Sequence, residues 1–205
     1  GFPWPLSLFE HRNGLDVRGP RMEVIDVELF VVSDKQLFRE VEDTLPGRTR
    51  FEPIAIGGIA IFEYFCGVPD GLLLSAGRRV LHHHVQSGEV SEVMKGPMIS
   101  TLFASARFPD YVIASTLEQH FLLHRGAGGW RPVGAPIPAT GYASNFLETR
   151  EGAIWIEQGI GKVTRLTIDP GRQALEARHF NQAPELGLRW INISEMNGTV
   201  YLKTH

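Results

Sequence analysis

The chain has 205 residues, 43% hydrophobic and 21% charged, an ordinary globular composition that can bury a core. A formal net charge of −3 gives no electrostatic case for binding nucleic acid or an anionic membrane surface. Cys66 stands alone, which excludes an intrachain disulfide, and 22 glycines and 13 prolines predict many turns and few long helices.

The chain opens GFPWPLSLFE, with no basic region leading into an apolar core, so it does not read as a secretory signal. LSLFE (6–10) is short enough to serve as a closing strand. LFVVS (29–33) is the first clear strand, followed by QLFREV from Gln36 and RFEPI from Arg50. The most apolar stretch, PIAIGGIAIF (53–62), is too short to span a bilayer and runs into Glu63. A fourth strand, IAIFEYF from Ile59, ends at the turn Pro69-Asp70-Gly71.

The pattern then returns. LLLSA (72–76), RVLHHHV from Arg79, EVSEVM from Glu89 and ISTLFASA from Ile99 lead to Pro109-Asp110. YVIAS (111–115), HFLLHRG from His120, GWRPV from Gly129 and SNFLET from Ser144 lead to Glu151-Gly152. AIWIE (153–157), KVTRLTI from Lys162, EARHF from Glu176 and WINISEM from Trp190 lead to Asn197-Gly198 and VYLKT (200–204). Aligning Val32, Leu74, Ala114, Ile156 and Leu202 gives steps of 42, 40, 42 and 46 residues.

Units of about 40 residues holding four short strands predict the blades of a β-propeller. One blade cannot cover both of its faces, and stacking blades buries the alternating apolar residues of each against the next. The expected fold is all-β, with units at 29–71, 72–110, 111–152 and 153–198 and a closing strand at 199–205. That is about four blades plus a strand of a fifth, a partial propeller.

EGAIWIEQGIGKVTRL (151–166) resembles the two-component regulator propeller repeat, which reads "DG-x-L/I-W-x-G-T…G-L-x-R-L". DGLLLSAGRRVLHH (70–83) and WINISEMNGTVYLKT (190–204) are further partial matches. The copies depart from the repeat at its Gly-Thr dipeptide, where Asp34-Lys35, Gly77, Thr116-Leu117 and Glu157-Gln158 stand. The resemblance implies the periplasmic sensor region of a bacterial hybrid two-component protein, histidine kinase or diguanylate cyclase. Such a region is non-catalytic and senses a ligand or another protein. It also implies that the chain is an arc of a larger propeller, meeting the other blades and domains of its parent.

Several residues invite a chemical reading. His82 and His84 share one face of a strand and could hold Zn²⁺ or Cu²⁺, but no third ligand stands at suitable spacing, so no metal or other cofactor is expected. Gly159-Ile160-Gly161-Lys162 lacks the Ser/Thr and the helix of a phosphate loop and reads as a hairpin turn. The G-x-S-x-G elbow is absent, and no Ser/His/Asp set assembles by motif.

Glu63, Glu148 and Glu195 recur at similar places in the fourth strands, which line the channel of a propeller. Together with Asn192 they are the candidate ligand contacts. The expected ligand is a small molecule or saccharide. A ring of acids would also suit a lyase or lactonase, and a plain assembly scaffold is the third alternative. Equivalent positions also share residues simply because repeats descend from one unit. Trp4, Trp130, Trp155 and Trp190 could stack on a sugar, although repeat aromatics mostly fill the space between blades. The end faces, with Val24, Val27 and Phe30 at the start and Ile191, Ile193 and Tyr201 at the finish, are expected to be hidden by ring closure or in a homodimer.

Overall fold

A computed structural model describes residues 21–25, 28–33, 36–42, 49–56, 58–59, 62–181 and 191–204. The described residues contain eighteen strands and no helix. They form four four-stranded antiparallel sheets and one two-stranded sheet, the blades of a partial propeller. The chain divides into two compact units, Gly1–Glu63 and Tyr64–His205.

The first unit holds one blade. Its strands are β1 (Arg21–Ile25), β2 (Glu28–Ser33), β3 (Gln36–Glu42) and β4 (Thr49–Ile54), paired in chain order. Alternation puts Val31 and Phe38 on one face, where they cluster with Phe51.

The second unit holds the remaining sheets. Its first blade is β5 (Tyr64–Val68), β6 (Gly71–Ala76), β7 (Arg79–His84) and β8 (Val90–Lys95). Next come β9 (Thr101–Ala104), β10 (Tyr111–Ser115), β11 (Gln119–Gly126) and β12 (Gly129–Pro138). The third blade is β13 (Ala143–Glu148), β14 (Ala153–Gln158), β15 (Lys162–Asp169) and β16 (Ala174–Asn181). The hairpin β17 (Ile191–Met196) and β18 (Thr199–Thr204) makes half of another. The fifth sheet thus has two described strands where the sequence predicts one.

The β9–β12 blade shows why the repeat packs. Val112, Ala114 and Leu123 turn to one side and join Leu73, Cys66 and Trp130 in one buried cluster. Ile113 and Leu122 turn to the other and join Ile154, Ile156, Leu166 and Ile168 in a second. A strand buried on both faces needs apolar residues at every position, and YVIAS is buried throughout. Each fully buried Leu or Ile contributes about 1.5–3 kcal/mol.

The hydrogen-bonded sheets are out of phase with the sequence units by one strand. Each sheet opens with the strand that the unit counts as its last. The turns at Asp70-Gly71, Asp110, Glu151-Gly152 and Asn197-Gly198 join strands that pair with each other within one sheet. The links 96–100 and 139–142 instead carry the chain from one blade to the next. Gly71 shows how tight the first hairpin is. Its φ is 152°, and a Cβ there would lie 2.0 Å from the carbonyl oxygen of His83. Only glycine fits.

Candidate functional site

The most developed polar arrangement is buried between the β9–β12 and β13–β16 blades. Ser115 closes β10, His120 is the second residue of β11, Gln158 closes β14 and Thr164 lies in β15, and all four are fully buried. His120 Nδ1 lies 2.8 Å from Ser115 Oγ, and its Nε2 lies 2.6 Å from Gln158 Nε2. The carbonyl oxygen of Gln158 accepts from Thr140 Oγ1 at 2.8 Å and from Thr164 Oγ1 at 2.5 Å. Thr164 Oγ1 also meets His179 Nδ1 at 2.9 Å.

These contacts fix every proton. Two hydroxyls donate to the Gln158 oxygen, so its amide nitrogen faces His120 and donates. His120 Nε2 must therefore accept, which leaves the proton on Nδ1, donated to Ser115. The Thr164 proton is used on Gln158, so His179 donates to Thr164. The result is a chain of hydrogen bonds running one way through the core, all neutral in His120. Burial, aided by the charge of His179, pushes the His120 imidazole down to about 4. Ser115 and His120 thus form a hydrogen-bonded pair, but both are sealed from solvent, and a pair that no substrate can reach does no nucleophilic chemistry.

Glu157, beside Gln158, faces the other way. Its buried carboxylate accepts from Ser144 Oγ at 3.3 Å, Asn145 Nδ2 at 2.7 Å and the backbone N–H of Ile191 at 3.0 Å. Asn145 sits at a bulge of β13 with φ of 44°, a conformation Asn tolerates, and this aims its amide at Glu157. The two residues that replace the repeat's Gly-Thr therefore tie their blade to a neighbour on each side.

The expected ligand residues fall in three settings. Glu148 ends β13 and accepts from Ser105 Oγ at 2.5 Å, Ala106 N at 2.6 Å and Arg107 N at 3.3 Å. It clamps the loop after β9 to the next blade. Glu195 holds the equivalent place in β17. Phe146 pairs with Ile156 and Ile193 with Leu202, and each glutamate lies two residues further on. The loop matching Ser105–Arg107 is residues 149–151, where Thr149 Oγ1 already accepts from Ala153 N. Glu195 Oε1 is buried with no hydrogen-bond partner among the described residues. Asn192 is exposed and, by alternation, on the opposite face of β17 from Glu195. Glu63 precedes β5 at the end of the first unit, so it stands before its strand rather than at the far end with Glu148 and Glu195.

At the turns that join β5 to β6 and β9 to β10 lies a charged cluster. Arg125 donates to Asp110 at 2.6 Å and lies 3.5 Å from Asp70. Asp70 accepts from the Trp130 indole at 3.2 Å, and His82 Nε2 lies 3.3 Å from it. Burial disfavours the Asp70 carboxylate, yet the Trp130 hydrogen bond and the charges of His82 and Arg125 hold its pKa below the usual range. His82 is pushed down by burial, against the pull of Asp70. His84 stands beside it, ring centroids 6.0 Å apart. Among the described residues no three His, Cys, Asp or Glu side chains are grouped to hold a metal ion.

A surface cavity of about 390 Å³ opens between the β13–β16 blade and the β17–β18 hairpin, lined by Thr149, Glu151, Trp155, Arg165, Thr199 and Val200 among others.

No family model matches the chain, and no curated protein matches it. Solved structures do resemble it. The virginiamycin B lyase of Staphylococcus aureus superposes with a TM-score of 0.58 at 15% identity, over 89% of this chain and 62% of that one. The extracellular domain of a hybrid two component system from B. thetaiotaomicron superposes with a TM-score of 0.60 at 10% identity, over 98% of this chain and 28% of that one. The chain therefore spans less than two thirds of either structure, and at these identities the likeness is one of fold.

Proposed function

We propose that this chain is a non-catalytic propeller module that senses a ligand or another protein in the extracytoplasmic region of a bacterial two-component signalling protein. The observation that carries the reading is where the reactive-looking side chains sit. Ser115, His120 and Glu157 are buried between blades. Glu148 has hydrogen bonds to both of its carboxylate oxygens. These groups join blades, and the exposed sheet faces are left for recognition. The propeller fold shared with an extracellular domain of a hybrid two component system supports the same reading. Asn192 and Glu195, on the two faces of β17, are the proposed ligand contacts in the second unit.

A thermal-shift screen of soluble small molecules and saccharides tests this. A ligand held at a hundred times its Kd stabilises by about 2.7 kcal/mol, a rise of roughly 5–10 °C for a chain of this size. At least one compound class should give that rise, reduced in Glu195→Gln or Asn192→Ala. A screen in which the only responding compounds are consumed, with products appearing, would favour the lyase reading instead.

A further inference from the structure

The pairing register lays one row of side chains across each four-stranded sheet, from its second strand to its fourth. In the first sheet the row is Val31, Phe38 and Pro53. In the next it is Leu73, His82 and Ser91, and in the third Ile113, Leu122 and Val133. In the β13–β16 sheet the row is Trp155, Arg165 and Arg178. Ile113 and Leu122 are buried against a following four-stranded sheet, whereas Arg165 and Arg178 are exposed beside a following sheet with two described strands. The same place in the repeat has changed from a packing surface to a cationic one.

Arg165 and Arg178 stand directly opposite one another on neighbouring strands. Like charges so placed repel, and the arrangement lowers stability unless an anion sits over it. No described residue supplies one. Of the acids on this sheet, Asp169 and Glu176 are paired with Arg172 at 2.5 Å and 2.7 Å, and Glu157 is held by Ser144, Asn145 and the Ile191 N–H. Glu151, at the cavity rim, feels the charge of Arg165 but makes no ion pair with it.

The two guanidiniums border an aromatic platform. Phe180 stacks on Trp155 with ring centroids 5.4 Å apart, and Arg178 lies 5.1 Å over the Phe180 ring. The cavity of about 390 Å³ opens on Trp155 and Arg165, within the size range of small-molecule sites.

We propose that this face is a binding site for a small carboxylate that carries a ring, either a sugar acid or an aromatic acid. The carboxylate takes the fork of Arg165, and Arg178 adds its charge. The ring lies against Trp155. Thr199 and Glu151 also line the cavity, and polar groups there suit ring hydroxyls, which favours the sugar acid of the two. The site adjoins Glu195, whose cross-strand partner Val200 lines the cavity, but it depends on Arg165 and Trp155 rather than on Asn192 or Glu195, so its failure leaves the sensing reading in place.

The test is a titration followed at the Trp155 indole N–H resonance of the ¹⁵N-labelled chain, assigned with Trp155→Phe. Glucuronate, benzoate, glucose and benzyl alcohol are the probes. One or both acids should shift the resonance saturably, and their uncharged counterparts should not. Loss of a charge-assisted hydrogen bond weakens binding by about tenfold or more, so Arg165→Met should do so, while Arg131→Met, on another blade, should not. Arg165→Glu adds a second readout. It sets opposite charges across from one another, so it should abolish binding while raising Tm. A residue with a purely structural role would lose stability on that change.

The proposal is overturned if neither acid shifts the resonance saturably, if the uncharged probes shift it equally, or if Arg165→Met binds as the unaltered chain does. A response to polyglutamate with none to the small acids also overturns it and makes the face a docking surface for an acidic protein.

Discussion

Lowering the pH should attack the molecule first at His120. The imidazole can be charged only if its Nε2, now accepting from the Gln158 amide, becomes a donor. The Gln158 side chain would then have to turn over, breaking its bonds to Thr140 and Thr164. Burial, aided by the charge of His179, holds His120 neutral down to about 4 in the folded state, against an ordinary value of 6.5. Between those two values the unfolded chain binds a proton that the folded chain does not, so stability falls as pH falls. The contribution is whole above 6.5 and is lost as pH drops to 4. The difference of 2.5 units, at 1.36 kcal/mol each, amounts to about 3 kcal/mol, with roughly 2 kcal/mol already gone at pH 5. For a chain of this length that is a fall in Tm of about 4–8 °C between pH 8 and pH 5.

Thermal unfolding should be followed across that range for the unaltered chain and for His120→Gln. Carboxylates titrate alike in both, so the difference between the two curves isolates His120. The unaltered chain should show the steeper loss. A titration of the His120 Cε1 proton by NMR gives the same quantity directly. A midpoint near 6.5, or an equal acid slope in His120→Gln, would refute the reasoning.

Two further substitutions probe the joints between elements. Glu148→Gln replaces an acceptor for three donors with a group that can accept on one atom only, and should cost about 1–3 kcal/mol in chemical denaturation. An unchanged midpoint would mean that the clamp on the loop after β9 contributes nothing. Gly71→Ala forces a methyl onto the His83 carbonyl at a φ that L-residues avoid, and should cost about 2–3 kcal/mol. Gly77→Ala, where a Cβ meets nothing within 4 Å, gives the cost of positive φ without the clash.

The strands were legible because the burial that shapes them is periodic. Val32, Leu74, Ala114 and Ile156 recur because each sits in a strand flanked by two others, and all five positions with Leu202 fall within strands of the structure. The sheet phase was not legible from the repeat, since a periodic string has no natural start. The tight turns at Asp70-Gly71 and Asn197-Gly198 were the local signal. The carboxylates Glu148 and Glu195 do recur in register, while Glu63 does not, because β5 begins only after it, at Tyr64.

Gln158 and His120 gave no motif at all, because a hydrogen-bond chain across blades joins residues 38 apart in sequence. Their one trace is Glu157-Gln158 standing where the repeat has Gly-Thr. Arg165 was hidden in the repeat's own "R-L", and only the cross-strand partner Arg178 makes it unusual. Leu6–Glu10, Val27, Trp4 and Trp190 lie outside the described residues. Of the expected apolar end faces, Phe30 and Ile191 are buried, whereas Val24 and Tyr201 are exposed.

The central claim is that the chain recognises a molecule without transforming it. The most direct measurement is a mass balance by liquid chromatography and mass spectrometry after long incubation with each compound that raises Tm, and with simple esters and lactones. Every compound should be recovered intact, with binding that saturates at a fixed ratio to protein. Loss of a compound at a rate proportional to protein concentration, with a matching product, would contradict it and make the chain an enzyme.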